Sequence, residues 1–376
     1  MVQKILDKLL KNVLILIEKI KQNKKKASII FVILSIIIIS FIIIKYQERR
    51  QLEIEKNTDI TNSIHAIVIN DNTKILKTPK NSMFTMFGMA KKGENVYILE
   101  ELSDNKNGDW CKVKYKNRIG YMLQENIDYF KESEEEFVLM SDVSKFNVIY
   151  KHFQSSQDYQ IFLIENNIQY VYIRAGGRGY GEEGKFYTDP NFQIFIDACE
   201  YLKVPYGFYY IDEALTSEEV DEEVEFMYDF ITKNATSKNI LPLVIDIEKY
   251  DDNIKARTRD IWEDRKYLAT ELVDKFLAKG ISSIIYTNAN IANKYLYEVN
   301  TCFWLAYYDQ KDKVPNYWYT SLEDQEPIQN EELMNKMIAW QFSESGAGKE
   351  IDLNVDLNLV KNDFFIEYVK KYTKDK

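Results

Sequence analysis

Histidine and cysteine are the scarcest reactive residues of this 376-residue chain: His65 and His152, then Cys111, Cys199 and Cys302. Zinc sites need several such ligands at short spacing, which these positions do not offer. A Ser-His-Asp triad would have to draw its base from two widely separated histidines. Three scattered cysteines make no disulfide framework. No metal and no cofactor is expected. Basic residues are outnumbered, 49 Lys and Arg against 59 Asp and Glu, and the net charge of −10 argues against a general nucleic-acid binder. Carboxylates and aromatic rings are plentiful, with 27 Tyr, 20 Phe and 5 Trp. Hydrophobic residues at 45% and charged ones at 29% are the composition of a folded protein, and the length suggests two or three units. Any chemistry is expected to be carboxylate chemistry in an aromatic-lined cleft.

The average charge conceals a division. Residues 1–50 carry eleven Lys and Arg against three acids, a balance of +8, which leaves −18 for the remainder. Ala27 to Ile44 is a single apolar run broken only by Ser28, Ser35 and Ser40. As a helix it would span roughly 27 Å, close to a bilayer core. It is longer than a signal-peptide core and lacks a small-residue cleavage site, so it reads as an uncleaved transmembrane helix over 27–46. Lys24-Lys25-Lys26 before the run favour a cytoplasmic N-terminus. Everything after about residue 47 would then lie outside a cell membrane crossed once. In segment 1–26, Ile5, Leu9, Val13, Ile17 and Ile20 recur at helical spacing among lysines. Either an amphipathic helix on an anionic leaflet or a solvated juxtamembrane helix that meets another protein fits this pattern.

Residues 47–62 are polar and read as a stalk. From 63 to 130 the pattern is strand-like, with alternation in HAIVIN, NVYILEE, WCKVKY and IGYML between turn signals. A small all-β barrel is expected here. Trp110-Cys111-Lys112-Val113-Lys114 and Gly120-Tyr121-Met122 resemble the late strands of a bacterial Src-homology-3-like domain. The resemblance implies binding of cell-wall peptide; a plain spacer fits equally. Residues 131–137, with the acidic run Glu132 to Glu136, read as a linker.

From 138 to 376 strands and helices alternate: VLMSDVS, YVYIRAG, YGFYYI, LPLVIDIE, SSIIYTN, FWLAYY and MIAWQFS are separated by helical stretches near 155–166, 190–202, 217–233 and 257–279. This predicts an α/β fold, an irregular TIM-like β/α barrel, in which chemistry sits at the carboxyl ends of the strands. Asp142 ends the first strand, and Asp246 and Glu248 end LPLVIDIE. Their i, i+2 spacing puts both on one face, about 6.5–7 Å apart. Carboxylates crowded at one mouth repel, so at least one should keep its proton near neutral pH. Glycoside cleavage needs such a set: a protonated acid for the leaving oxygen and a carboxylate for the developing positive charge. Pairing with Arg174 or a lysine for stability alone is the competing account.

Residues 140–359 resemble glycoside hydrolase family 25, the lysozymes. The resemblance rests on Asp142-Val143-Ser144, Tyr172-Ile173-Arg174-Ala175, Gly207-Phe208-Tyr209-Tyr210, Asp246-Ile247-Glu248, Ile285-Tyr286-Thr287, Trp304-Leu305-Ala306 with Tyr308, Trp340-Gln341-Phe342, and Val355-Asp356-Leu357-Asn358, in the family's order. It implies a muramidase that cleaves the β-1,4 bond from N-acetylmuramic acid to N-acetylglucosamine in peptidoglycan. By the same resemblance Glu248 is the general acid. Asp246 stabilises the positive centre or orients the acetamido group, and Asp142 and Asp356 line the same pocket. Tyr209, Tyr210, Tyr286, Tyr308, Trp340 and Gln341 are candidate substrate contacts, whereas Trp304 reads as barrel packing. Arg174 either touches substrate or neutralises the acids. Asp352, four residues before Asp356, competes for its assignment. Where the family often has glutamine or glycine after the first motif, this chain has Lys145-Phe146. A catalytically inactive wall-binding scaffold is the alternative function.

The glycine-rich Ala175–Gly181 stretch lacks a P-loop's Gly-Lys-Ser/Thr ending and reads as a flexible loop at the barrel mouth. The helix bearing Glu218, Glu219, Asp221, Glu222, Glu223 and Glu225 reads as a solvated face.

Overall fold

The computed structural model describes residues 24–80, 85–104, 108–181, 183–235, 240–248, 257, 261–308, 314–315, 318, 330–344 and 355–373, with the backbone alone for 24–31, 104 and 370–373. The first helix, α1, spans Lys24–Lys56. Nearly all of the amphipathic segment 1–26, and Asp352, lie outside the described residues. At 1.5 Å per residue, α1 is about 50 Å long. Val32 and Ile36 to Ile39 are each more than half exposed. Among the described residues no helix is long and apolar enough to cross a membrane. The first five residues of the apolar run, 27–31, have undescribed side chains.

The expected stalk is also partly helical, and its end is docked. Glu55 is buried and pairs with Arg118 at 2.6 Å. Lys114 Nζ donates to the carbonyls of Lys56 and Thr58 at 3.0 and 2.7 Å, satisfying acceptors at the C-terminus of α1.

Seven antiparallel strands follow: β1 (Ile64–Val68), β2 (Thr73–Leu76), β3 (Met86–Ala90), β4 (Asn95–Asp104), β5 (Gly108–Tyr115), β6 (Arg118–Leu123) and β7 (Ile127–Tyr129). They form one sheet in the order β3-β2-β6-β5-β4-β1-β7. Their apolar residues, among them Ala66, Val68, Val96, Ile98, Cys111 and Val113, gather into one core. The sheet rests on the next unit through Tyr201, whose hydroxyl reaches the carbonyls of Ala66 and Val96 at 2.8 and 2.7 Å. His65 packs between Tyr97 and Tyr201, with ring centroids 5.0 Å from each.

The remaining elements are β8 (Phe137–Val143), α2 (Lys145–Ile149), α3 (Ser156–Glu165), β9 (Ile168–Arg178), β10 (Phe186–Thr188), α4 (Phe192–Leu202), β11 (Tyr206–Ile211), α5 (Ser217–Asn234), β12 (Leu243–Asp246), α6 (Arg265–Ala278), β13 (Ser283–Asn288), α7 (Ala289–Ile291), β14 (Phe303–Ala306), α8 (Glu331–Lys336), β15 (Met337–Ser343), β16 (Asp356–Lys361) and α9 (Asn362–Thr373). β8, β9 and β11 to β15 pair in parallel, each with the next. β16 runs antiparallel to both β15 and β8 and closes the ring. The result is an irregular eight-stranded barrel, with β10 added antiparallel to the end of β9. Two cores follow from the two-residue period of the strands. One, with Met140, Tyr172, Val244, Ile284 and Trp304, fills the barrel. The other, with Phe162, Phe195, Phe208, Val224, Leu272 and Phe276, lies between strands and helices.

Two expectations are corrected here. The glycine-rich stretch is not a loop as far as Arg178: it continues β9, buried throughout. A Cβ on Gly176 would lie 1.9 Å from the carbonyl oxygen of Tyr187, and one on Gly177 would lie 2.6 Å from that of Ile211. Glycine is required there because β10 and β11 press against the backbone. The acidic helix α5 is not wholly solvated either. Glu223 has no exposed surface and pairs with buried Arg178 at 2.9 Å. Arg178 also takes Glu222 at 2.9 Å, and its guanidinium lies 4.4 Å from the ring centroid of Phe186.

Candidate active site

The side-chain alternation of each strand selects what enters the barrel mouth. Asp142 follows Val138 and Met140 on β8, Arg174 follows Tyr170 and Tyr172 on β9, and Asp246 follows Val244 on β12. Glu248 stands two residues past Asp246, on the same side. These residues, with Tyr209, Tyr286, Trp304, Tyr308, Gln341 and Asp356, line one cavity of about 380 Å³. Asp356 stands directly opposite Asp142 in the β16–β8 register.

The electrostatics of this cluster favour protons. Burial and the neighbouring Glu248 carboxylate push Asp142 up to about 6, although Asn358 and Gln341 donate to it. Burial, then Asp142, pushes Asp356 well above the usual carboxylate range, and the two carboxyls hydrogen-bond each other. One proton is therefore held between them. Burial, then Glu248 and Asp142, pushes Asp246 well up; Arg174 opposes the shift. Among the described residues, Asp246 Oδ1 and Arg174 Nη2 are buried with no hydrogen-bond partner. Native interiors rarely leave such atoms unpaired, so both are suited to polar groups of a ligand.

A network behind the acids fixes their orientation. Trp304 Nε1 donates to Asn358 Oδ1 at 2.7 Å, which turns Asn358 Nδ2 toward Asp142 Oδ1 at 2.9 Å and the Met140 carbonyl at 3.2 Å. Tyr286 and Tyr308 both donate to Gln341 Oε1, the second at 3.1 Å, and Gln341 Nε2 faces Asp142 Oδ1 at 3.4 Å. Removing the Asn358 donor is expected to raise Asp142 further. In Asn358→Ala the acid limb of the activity profile should move up by about one pH unit, because an ionised Asp142 then requires a higher pH. An unmoved acid limb in the pH–rate curve would exclude Asp142 as the group that sets it.

Arg174 is held by Asp189, not by the acid cluster. Its Nε donates to buried Asp189 Oδ2 at 3.0 Å, and Asp189 also accepts from the backbone N–H groups of Lys145 and Asn191 at 2.8 and 3.0 Å. Its guanidinium lies 5.0 Å from the ring centroid of Phe146, so Phe146 forms part of the wall.

Two candidates face the wrong way. Tyr210 packs outward near Phe276, ring centroids 6.0 Å apart, and Trp340 is wholly buried with its Nε1 on the Tyr307 carbonyl at 2.8 Å. Parity explains both: Tyr209 and Gln341 point in, so their neighbours point out. Trp304, read from sequence as packing, lines the cavity. Asn358, Asp189, Tyr180 and Phe146 were missed as site residues. Asn358 alone had a legible signal, two positions after Asp356 on the same strand.

A closed β/α barrel thus brings these acidic side chains together at the carboxyl mouth of its strands. The model for glycosyl hydrolases family 25 matches residues 148–351, more than half of the chain, and the chain belongs to that family. It is a glycoside hydrolase. β8 and β16, with Asp142 and Asp356, flank the matched span and join the site through ring closure. Among solved structures, the chain is similar to the catalytic domain of endolysin ply40 from bacteriophage P40 of Listeria monocytogenes, with 17% identity, TM-score 0.46, and 63% of this chain and 98% of that one covered. It is also similar to the lysozyme of Streptomyces coelicolor, with 16% identity, TM-score 0.42, and coverage of 65% and 100%. A family lysozyme from Aspergillus fumigatus gives 16%, 0.42, and coverage of 62% and 99%. No curated protein matches the sequence.

Proposed function

We propose that the barrel is a muramidase, cleaving the β-1,4 bond between N-acetylmuramic acid and N-acetylglucosamine in peptidoglycan. Membership of family 25 supports this substrate. The observation that carries the chemistry is the convergence of Asp142, Asp246, Glu248 and Asp356 on one cavity. Glu248, only partly buried at the mouth, donates the proton to the leaving glycosidic oxygen, and a water molecule supplies the hydroxyl that ends on the anomeric carbon and the proton that restores Glu248. The Asp142–Asp356 pair, sharing a proton, carries one negative charge toward the developing positive centre. Asp246, held protonated by its surroundings, offers a donor to the acetamido group of the sugar. Tyr209, Tyr286, Tyr308 and Trp304 give the sugar rings apolar faces. Incubation of purified peptidoglycan with the protein should release new reducing-end muramic acid. Sedimentation with the wall without any new reducing ends would instead make the barrel a binding scaffold.

The apolar run of α1 is proposed to hold the enzyme on the outer face of the cell membrane, with the seven-stranded unit as a Src-homology-3-like spacer or wall-peptide reader. The support is the uninterrupted apolar sequence from 27 to 44 and the basic residues before it. The full chain should pellet with membranes and resist extraction by 1 M salt, whereas a chain lacking residues 1–46 should stay in the supernatant. Salt extraction of the full chain would refute insertion.

A further inference from the structure

Beside the catalytic cavity stands an aromatic ridge that the chemistry above does not use. On α2 and the turn after it, Phe146, Ile149 and Tyr150 are 44%, 56% and 66% exposed. Phe146 and Tyr150 are i and i+4 on this turn of helix, and their rings stack with centroids 6.0 Å apart and planes 18° from parallel. His152 continues the line, its ring 6.4 Å from that of Tyr150. At the other end, Phe146 lines the cavity beneath the Arg174 guanidinium.

The ridge is held in shape by its backbone. Ser144 and Asn147 form a reciprocal capping box at the start of α2. Tyr150 N–H bonds to the Phe146 carbonyl at 2.9 Å, and Lys151 leaves the helix in the left-handed region at φ 62°. His152 N–H then returns to the Asn147 carbonyl at 3.0 Å. Val148 packs against the outer core, which leaves its neighbours facing solvent. Rings exposed on a turn this well fixed are a contact surface whose backbone is ordered before anything binds.

We infer that Phe146 and Tyr150 form an outlying sugar subsite, over which the glycan strand runs as it leaves the cavity. The inference rests on the reading of the barrel as a glycan hydrolase. Continuity favours this occupant over a protein partner: one ring, Phe146, belongs both to the cavity wall and to the exposed stack. At about 380 Å³ the cavity is near the small end of ligand pockets, so a polymeric substrate extends beyond it. The C–H-rich face of a pyranose is apolar and flat, as an exposed tyrosine ring requires.

The test compares peptide-free glycan strands with a tetrasaccharide of the same two sugars, which is expected to sit around the scissile position without covering Tyr150. Tyr150→Ala is expected to lower kcat/KM on long strands roughly tenfold, mainly through KM, and to change tetrasaccharide cleavage less than twofold. Tyr150→Trp should restore the preference for long strands. Equal losses on both substrates, or none on either, would overturn the subsite. So would concentration-dependent dimerisation in sedimentation velocity that Tyr150→Ala abolishes while strand kinetics stay unchanged; the ridge would then seat a second copy. Binding of the same strands to the Glu248→Gln protein separates this idea from the catalytic one. A tenfold weaker Kd on adding Tyr150→Ala supports the subsite even if no cleavage occurs, and an unchanged Kd removes it even if cleavage does.

Discussion

Glu248→Gln is expected to slow glycan cleavage by about 10²–10⁴-fold while wall binding and melting temperature stay near those of the parent protein. Glutamine keeps the shape and hydrogen-bonding reach of the side chain but has no proton to give to a departing oxygen. The other acids are poorly placed to substitute. Asp246 lies deeper, is almost wholly buried, and has its carboxyl pushed well up by burial and the neighbouring acids, which weakens it as a proton donor. Asp142 and Asp356 are tied to each other across the register that joins β8 and β16. The check is the initial rate of reducing-end release from purified wall, with sedimentation as the binding control. If parent and variant release the same products at the same rate, Glu248 is not the acid and the assignment fails.

Arg265→Met is expected to remove about 3–5 kcal/mol of stability, the second large effect. Arg265 opens α6 with no exposed surface, and its guanidinium pairs with Asp212, equally enclosed. It also donates to the Ala214 carbonyl at 2.8 Å. Methionine fills much of the volume but leaves the Asp212 charge buried with no cation, which is the costly half of a broken buried pair. The pair lies just past β11, and the Asp212 N–H bonds to the Asp246 carbonyl at 3.0 Å, so the effect reaches the site's backbone. Urea unfolding measures it; a midpoint within error of the parent would show the pair to be dispensable. Adding Asp212→Asn should recover part of the loss, because the stranded charge is then gone.

How far the sequence speaks for itself depends on periodicity. Alternation of strand and helix was enough to place a β/α barrel, and acids ending apolar strands were enough to point at its mouth. Phase was not legible. β11 and β15 are buried along almost their whole length, so their sequences do not mark which residues look inward. That is why Trp340 and Tyr210 could be proposed as sugar contacts although their neighbours Gln341 and Tyr209 occupy the cavity. Arg178 and Glu223 failed for another reason. A row of glutamates on α5 has the pattern of a wet surface, and only the β9 extension, which buries an arginine against it, shows otherwise. Asp189 was invisible as a site residue because it touches no substrate-facing acid; its part is to hold Arg174.

β16 has a consequence for how the enzyme comes into being. It is the last strand of the ring, it runs against its neighbours, and it carries Asp356 and Asn358, both of which touch Asp142 at the opposite end of the barrel sequence. More than two hundred residues of chain must be in place before those contacts can form. A ribosome-bound fragment that already holds Asp246 and Glu248 would lack the partner that shares Asp142's proton and the amide that steers it. Competence to cut is thus deferred until synthesis of the barrel is complete.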